Sequence, residues 1–110
     1  MSISTHVLDT AHGRPVAGLA VTLSRRANSA WSVVAKGVTD AEGRVKEFGS
    51  GRTEPGEYRL KFDTAAYFEA AGTAAFYPEV SVVFKVTGAG AHHHVPLLLA
   101  PFGYSTYRGT

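Results

Sequence analysis

The chain has 110 residues, 45% hydrophobic and 18% charged, a balance that suits one hydrophobic core, leaves no room for a second, and argues against both disorder and residence in a membrane. Eleven Lys and Arg against nine Asp and Glu give a formal charge of +2, spread along the chain rather than clustered, so no nucleic-acid partner is expected. The absence of cysteine excludes disulfides, thiol nucleophiles and thiolate metal sites.

Short β-branched and apolar runs recur between Gly, Pro, Asn and Asp, the pattern of an all-β sandwich within a single domain spanning residues 1–110. Eight strands are expected, near residues 4–8, 17–26, 32–39, 44–45, 56–63, 79–86, 92–99 and 104–107. The first ten residues have neither the basic start nor the long apolar stretch of a signal peptide, so a cytoplasmic location is expected. In the second strand Leu19, Val21 and Leu23 share one face against Ala20, Thr22 and Ser24. Asp40-Ala41-Glu42-Gly43 carries turn chemistry and should deliver Arg44 into a strand. The glycine-bearing stretch 48–54 reads as a mobile loop. One short helix is expected at 65–71, after Asp63-Thr64 and before Gly72.

The seventh run alternates His94, Pro96 and Leu98 against Val95, Leu97 and Leu99, so it is apolar on both faces. One small domain cannot cover both sides of its own sheet, and a homo-oligomer is expected. The apolar run 95–100 is too short to span a bilayer, so no membrane partner is expected. A tight connection at 100–103 leads to an antiparallel neighbour that places Ser105 and Tyr107 outward.

Several segments together resemble a known family. Ser4-Thr5-His6-Val7-Leu8-Asp9, Thr39-Asp40-Ala41-Glu42-Gly43-Arg44, Pro55-Gly56-Glu57-Tyr58-Arg59-Leu60 and His94-Val95-Pro96-Leu97-Leu98-Leu99 are similar to the 5-hydroxyisourate hydrolases of the transthyretin-like family. The ending Tyr107-Arg108-Gly109-Thr110 is the most specific piece, since it resembles the Tyr-Arg-Gly-Ser terminus that separates these hydrolases from transthyretin. Thr110 in place of Ser, and His93 where Tyr is common, are the two departures. The resemblance implies an eight-stranded antiparallel Greek-key sandwich with one short helix, a homotetramer built as a dimer of dimers, and active sites at the subunit interface. It implies that His6, Arg44 and His94 are catalytic, that Tyr107, Arg108, Gly109, Thr110 and Ser105 line the substrate pocket, and that no cofactor or metal is used. The implied reaction is hydrolytic ring opening of 5-hydroxyisourate to 2-oxo-4-hydroxy-4-carboxy-5-ureidoimidazoline, in urate degradation. A non-catalytic carrier of a small aromatic ligand is the alternative.

Taken alone, these residues are chemically suited to hydrolysis without deciding it. Opening a cyclic amide needs an activated water, a held oxyanion and a protonated leaving nitrogen. Either His6 or His94 can accept the proton from water, because imidazole titrates near neutrality. Arg44 stays cationic and presents a planar fork of donors to carbonyl oxygens. A lone strand histidine is more often structural, and an arginine after a turn is more often solvated. His92 and His94 share a face, but two histidines without a third ligand make a weak zinc site. His12, His92 and His93 are expected at the surface, Trp31 is expected to pack, and Ser105 lacks the setting of a nucleophile.

Overall fold

A computed structural model describes residues 3–49, 53–88 and 91–110. Nine strands and one helix appear in it: β1 (Ile3–Asp9), β2 (Arg14–Pro15), β3 (Ala20–Ala27), β4 (Ala30–Val38), β5 (Arg44–Val45), β6 (Gly56–Phe62), α1 (Thr64–Ala70), β7 (Val80–Val86), β8 (His93–Ala100) and β9 (Gly103–Thr106). Two sheets form. One runs β2-β1-β8-β9 with β5 also paired to β1, and the other runs β4-β3-β6-β7. The expected sandwich is therefore present, with two departures: β1 pairs β8 in parallel rather than antiparallel, and the added strand is β2, a two-residue bridge to Leu8 and Asp9 too short to register as a periodic run.

The inward faces follow the two-residue period of a strand. Ile3 and Val7 of β1, Val95, Leu97 and Leu99 of β8, Val21 and Leu23 of β3, and Leu60 and Phe62 of β6 meet in one core. The register of β3 against β4 shifts between Leu23 and Ser24, so Val34 is an extra residue in β4, a bulge that sequence alternation does not announce. Phe48 also belongs to the core, which corrects the expectation of a mobile polar loop at its first residue; residues 50–52 of that loop lie outside those described. The helix forms one residue earlier than expected, with Thr64 and Phe68 buried.

Asp9 is the hub at one end of β1. Its carboxylate is buried and accepts hydrogen bonds from the backbone N–H of Ala11 and His12 at 2.9 and 3.0 Å, and from the hydroxyl of Tyr67 at 2.6 Å. His12 Nδ1 lies 2.9 Å from its second oxygen. Burial alone would raise the Asp9 pKa; the hydrogen bonds from Tyr67 and His12 outweigh it and hold the carboxyl below its ordinary range. His12 is exposed, as expected, while its ring closes this turn.

Candidate active site

Two pairings build the site. Strand β1 runs parallel to β8 with Ser4 opposite His94 and His6 opposite Pro96. On its other side β1 runs antiparallel to β5, with His6 opposite Arg44. Since Thr5 and Val7 point inward, Ser4, His6, Arg44 and His94 fall on the outer face of one sheet. Residues distant in sequence are thereby set side by side.

The turn at residues 40–43 fixes the register of Arg44. Asp40 Oδ1 accepts from the backbone N–H of Glu42 and of Arg44, both at 2.9 Å, and the Arg44 hydrogen bond leads in lowering the Asp40 pKa. Gly43 has φ +79°, and a side chain there would meet the Val7 carbonyl oxygen at 2.5 Å, so only glycine lets the turn close against β1. His6 is tied to the same turn, its Nε2 lying 2.8 Å from the Glu42 carbonyl oxygen. A carbonyl only accepts, so Nε2 carries the proton, and neutral His6 keeps its lone pair on Nδ1.

His94 is half-buried. Its Nδ1 lies 2.8 Å from Ser4 Oγ, and that hydroxyl also lies 2.9 Å from Nε2 of exposed His92. Burial first, then the guanidinium of Arg44 and the neighbouring His92 and His6, lower the His94 pKa below the ordinary imidazole value. His94 is thus kept neutral where a free histidine would begin to charge. The C-terminal segment crosses it: Gly109 N–H donates to the His94 carbonyl at 2.8 Å, and a Cβ on Gly109 would lie 2.5 Å from His94 Cδ2.

This crossing divides two clefts. One, of about 270 Å³, is lined by Ser4, Arg44, Lys46, His92, His94 and Thr110 among others. The second, of about 330 Å³, takes in His93, His94, Lys85, Tyr107 and Arg108. Arg44, His94 and Thr110 therefore share a cleft, with His6 beside Arg44 on the same face. Tyr107 and Arg108 lie across the strap, while Ser105 is exposed on β9. Among the described residues, no three His, Cys, Asp or Glu side chains gather closely enough to hold a metal ion.

His93 is a correction. It is only 5% exposed, not solvated, because it shares the parity of Val95 and Leu97 and turns inward. Burial and then Arg108 lower its pKa, and its Nδ1 has no hydrogen-bond partner among the described residues. Ser4 and Lys46 line the cleft without being singled out from the sequence, and His92, considered there only as half of a weak zinc pair, lines it too. The signal for two of them is the same alternation, since Ser4 stands two before His6 and His92 two before His94.

Residues 3–109 match the family described as HIUase/Transthyretin. A 5-hydroxyisourate hydrolase of Salmonella dublin is 40% identical over 109 residues, covering 98% of this chain and 80% of that protein. Among solved structures, a Klebsiella pneumoniae 5-hydroxyisourate hydrolase superposes with a TM-score of 0.89 at 37% identity, covering all of both chains. Transthyretin from Sparus aurata superposes at 0.93 with 32% identity, covering 98% of this chain and 96% of its own. On a sequence match of that extent, the chain belongs to the HIUase/Transthyretin family.

Proposed function

We propose that this chain is a 5-hydroxyisourate hydrolase whose working residues are His6, Arg44 and His94. The observation that carries the reading is the convergence of two imidazoles and an unneutralised guanidinium on one outer sheet face. In the reaction, water adds to the ring carbonyl, and His94, neutral at rest, takes its proton. Arg44 faces the oxygen on which charge develops, and its planar donors stabilise that charge more than they do the ground state. His6, anchored through Nε2 to the Glu42 carbonyl, presents Nδ1 to orient the substrate. Ring opening follows as the leaving nitrogen gains a proton. Thr110 closes the cleft, and Gly109 lets the terminal segment lie flat on the His94 ring.

The same outer face continues through half-buried Leu8 and Leu98, with the exposed ring of Phe102 in the turn that follows β8. That apolar extension supports assembly as a homotetramer, a dimer of dimers with the sites at a subunit interface. Among the described residues no helix is long and apolar enough to cross a membrane.

The carrier reading draws on the transthyretin-like backbone, which superposes slightly better on transthyretin than on the hydrolase. A backbone fit does not distinguish the two; side chains on the face do. Titratable groups beside a permanent cation suit charge development rather than an inert apolar channel. Generating 5-hydroxyisourate in place with urate oxidase and following its ultraviolet decay tests the proposal. Faster decay than in buffer is expected, and decay at the buffer rate with ligand binding retained would establish the carrier instead.

A further inference from the structure

Ser4 points to the outer face of β1 yet is only 5% exposed, with the rings of His92 and His94 held against it. Its hydroxyl lies 2.9 Å from His92 Nε2 and 2.8 Å from His94 Nδ1, and the two rings are nearly parallel, 15° apart in plane with centroids 6.4 Å apart. A hydroxyl has one proton and can accept with its lone pairs. Joined to two imidazole nitrogens, it donates to one and accepts from the other, so the three groups form a directed chain from half-buried His94 to exposed His92.

We infer that Ser4 is a positioning residue that relays a proton between half-buried His94 and exposed His92 along the cleft wall, and so sets which tautomer of His94 meets the substrate. This inference rests on the hydrolase reading above. At rest His94 carries its proton on Nδ1 and donates it to Ser4 Oγ, while the Ser4 hydroxyl donates to His92 Nε2. His94 Nε2 then offers its lone pair to the cleft. As water attacks, a C–O bond forms, the carbonyl electron pair moves to oxygen beside Arg44, and the water proton goes to His94 Nε2. The Nδ1 proton passes to Ser4 as the Ser4 proton passes to His92, so His94 is neutral again and His92 holds the extra proton. When the ring C–N bond breaks, the chain runs backwards: His92 returns its proton to Ser4, Ser4 protonates His94 Nδ1, and His94 gives its Nε2 proton to the leaving nitrogen. Every group ends as it began.

The electrostatics of the cleft favour such a relay. A protonated His94 would face Arg44 and Lys46 from the β5 side, with His6 on β1 and His92 beside it. Moving the positive charge to exposed His92 places it in water, where neighbouring cations are screened. Burial and Arg44 together disfavour charge on His94 itself.

The test compares the full-length protein with Ser4→Ala, Ser4→Thr and His92→Gln by the ultraviolet assay from about pH 5 to 8, the interval of imidazole titration. Long-range ¹⁵N spectra of the His94 ring are recorded alongside. Ser4→Ala is expected to lower kcat roughly ten- to a hundredfold, part of what acid–base catalysis contributes, with KM little changed. Ser4→Thr restores most of the rate and covers the case in which the alanine variant folds poorly. His92→Gln keeps a hydrogen-bonding amide but cannot hold the extra proton, so its kcat falls as in Ser4→Ala. In the spectra, wild-type His94 is protonated at Nδ1 and shifts toward Nε2 in Ser4→Ala. Full activity with an unchanged pH profile in Ser4→Ala overturns the inference, as does full activity in His92→Gln. Should the wild type not accelerate decay at all, the hydrolase reading fails instead, and an unchanged His94 tautomer in Ser4→Ala would then overturn the Ser4 bridge separately.

Discussion

On the outer face of the β4-β3-β6-β7 sheet, Arg26 is held by Glu57 at 2.8 Å, Lys61 reaches Glu79 at 3.5 Å, and Arg26 and Arg59 lie over the Trp31 ring at 4.5 and 4.7 Å. On the outer face of the other sheet, Arg44 makes no ion pair among the described residues and stands opposite His6, with His94 on the far side of β1. Both faces carry cations on half-exposed strands. In the first, Arg26, Arg59 and Lys61 each find a carboxylate or an aromatic ring nearby and their fields are spent locally. In the second, the field of Arg44 reaches titratable rings, and its effect is seen in the lowered pKa of His94. A cation left unmatched on a strand face is therefore more informative about chemistry than the number of cations.

The largest break in that comparison comes from His94→Gln, which keeps a hydrogen-bonding side chain but removes the titratable ring. We expect kcat/KM for 5-hydroxyisourate to fall by about 10²–10⁴, with an unchanged thermal melt. A rate within a few fold of wild type would remove His94 from the chemistry. Arg44→Gln is expected to cost about 10²–10³ in kcat and also to move the pH profile. Neutral His94 is the active form, so the rate falls on acidification through its pKa, which lies below the ordinary value near 6.5. Removing Arg44 removes the second of the causes that lower it, leaving burial as the first. The acid limb should therefore shift upward toward 6.5, and a limb that stays in place or moves down would contradict the coupling.

Gly109→Ala sharpens the role of the strap. The new Cβ would meet His94 Cδ2 at 2.5 Å and Cγ at 3.2 Å, so either the ring or residues 107–110 must move. A loss on the order of tenfold in kcat is expected, since small misplacements of reacting groups carry penalties of this size or more. Stability should hardly change, because the segment is largely exposed.

The alternation of apolar residues made the core strands legible, and the turn chemistry of Asp40 and Gly43 correctly delivered Arg44 into β5. The same period-2 rule applied to the His92–His94 run turns His93 inward; its residue type suggested water, and the geometry overrode it. The Val34 bulge and the burial of Phe48 depend on how the sheets meet, which no local pattern encodes. For the site, the resemblance supplied His6, Arg44 and His94, while the residues alone left them ambiguous because their adjacency comes from the β1–β5 and β1–β8 pairings. Ser4 was invisible as chemistry since a serine in a strand carries no signal until two imidazoles are placed against it. Asp9 was likewise unremarked, although four groups converge on it in the fold.

Asp9→Asn tests the end of β1 remote from the cleft. The folded carboxyl has a lowered pKa, so the stability it contributes is present above the unfolded value of about 3.9 and is lost as pH falls through the lower folded value. Asparagine cannot accept at both positions from Tyr67, His12 and the backbone, and a buried group left unsatisfied costs about 1–3 kcal/mol. Thermal melts at neutral pH should show that loss, shrinking on acidification because wild-type Asp9 is then protonated as well. A difference that grows toward acid would reverse the sign of the assignment.

Trp31→Ala probes the matched face and should have the smallest effect on turnover. It removes a ring that two guanidinium groups overlie on the far sheet. Each exposed cation–π contact contributes about 0.5–1 kcal/mol, so stability should fall by roughly 1–2 kcal/mol from both together. The Arg26–Glu57 pair would remain, and neither the β1–β8 register nor the residue 40–43 turn involves Trp31. The hydrolytic rate and its pH profile should stay as in the wild type. If turnover dropped as sharply as in Arg44→Gln, the far sheet would be coupled to the cleft, and the separation between a self-neutralised face and a reactive one would no longer explain which residues act.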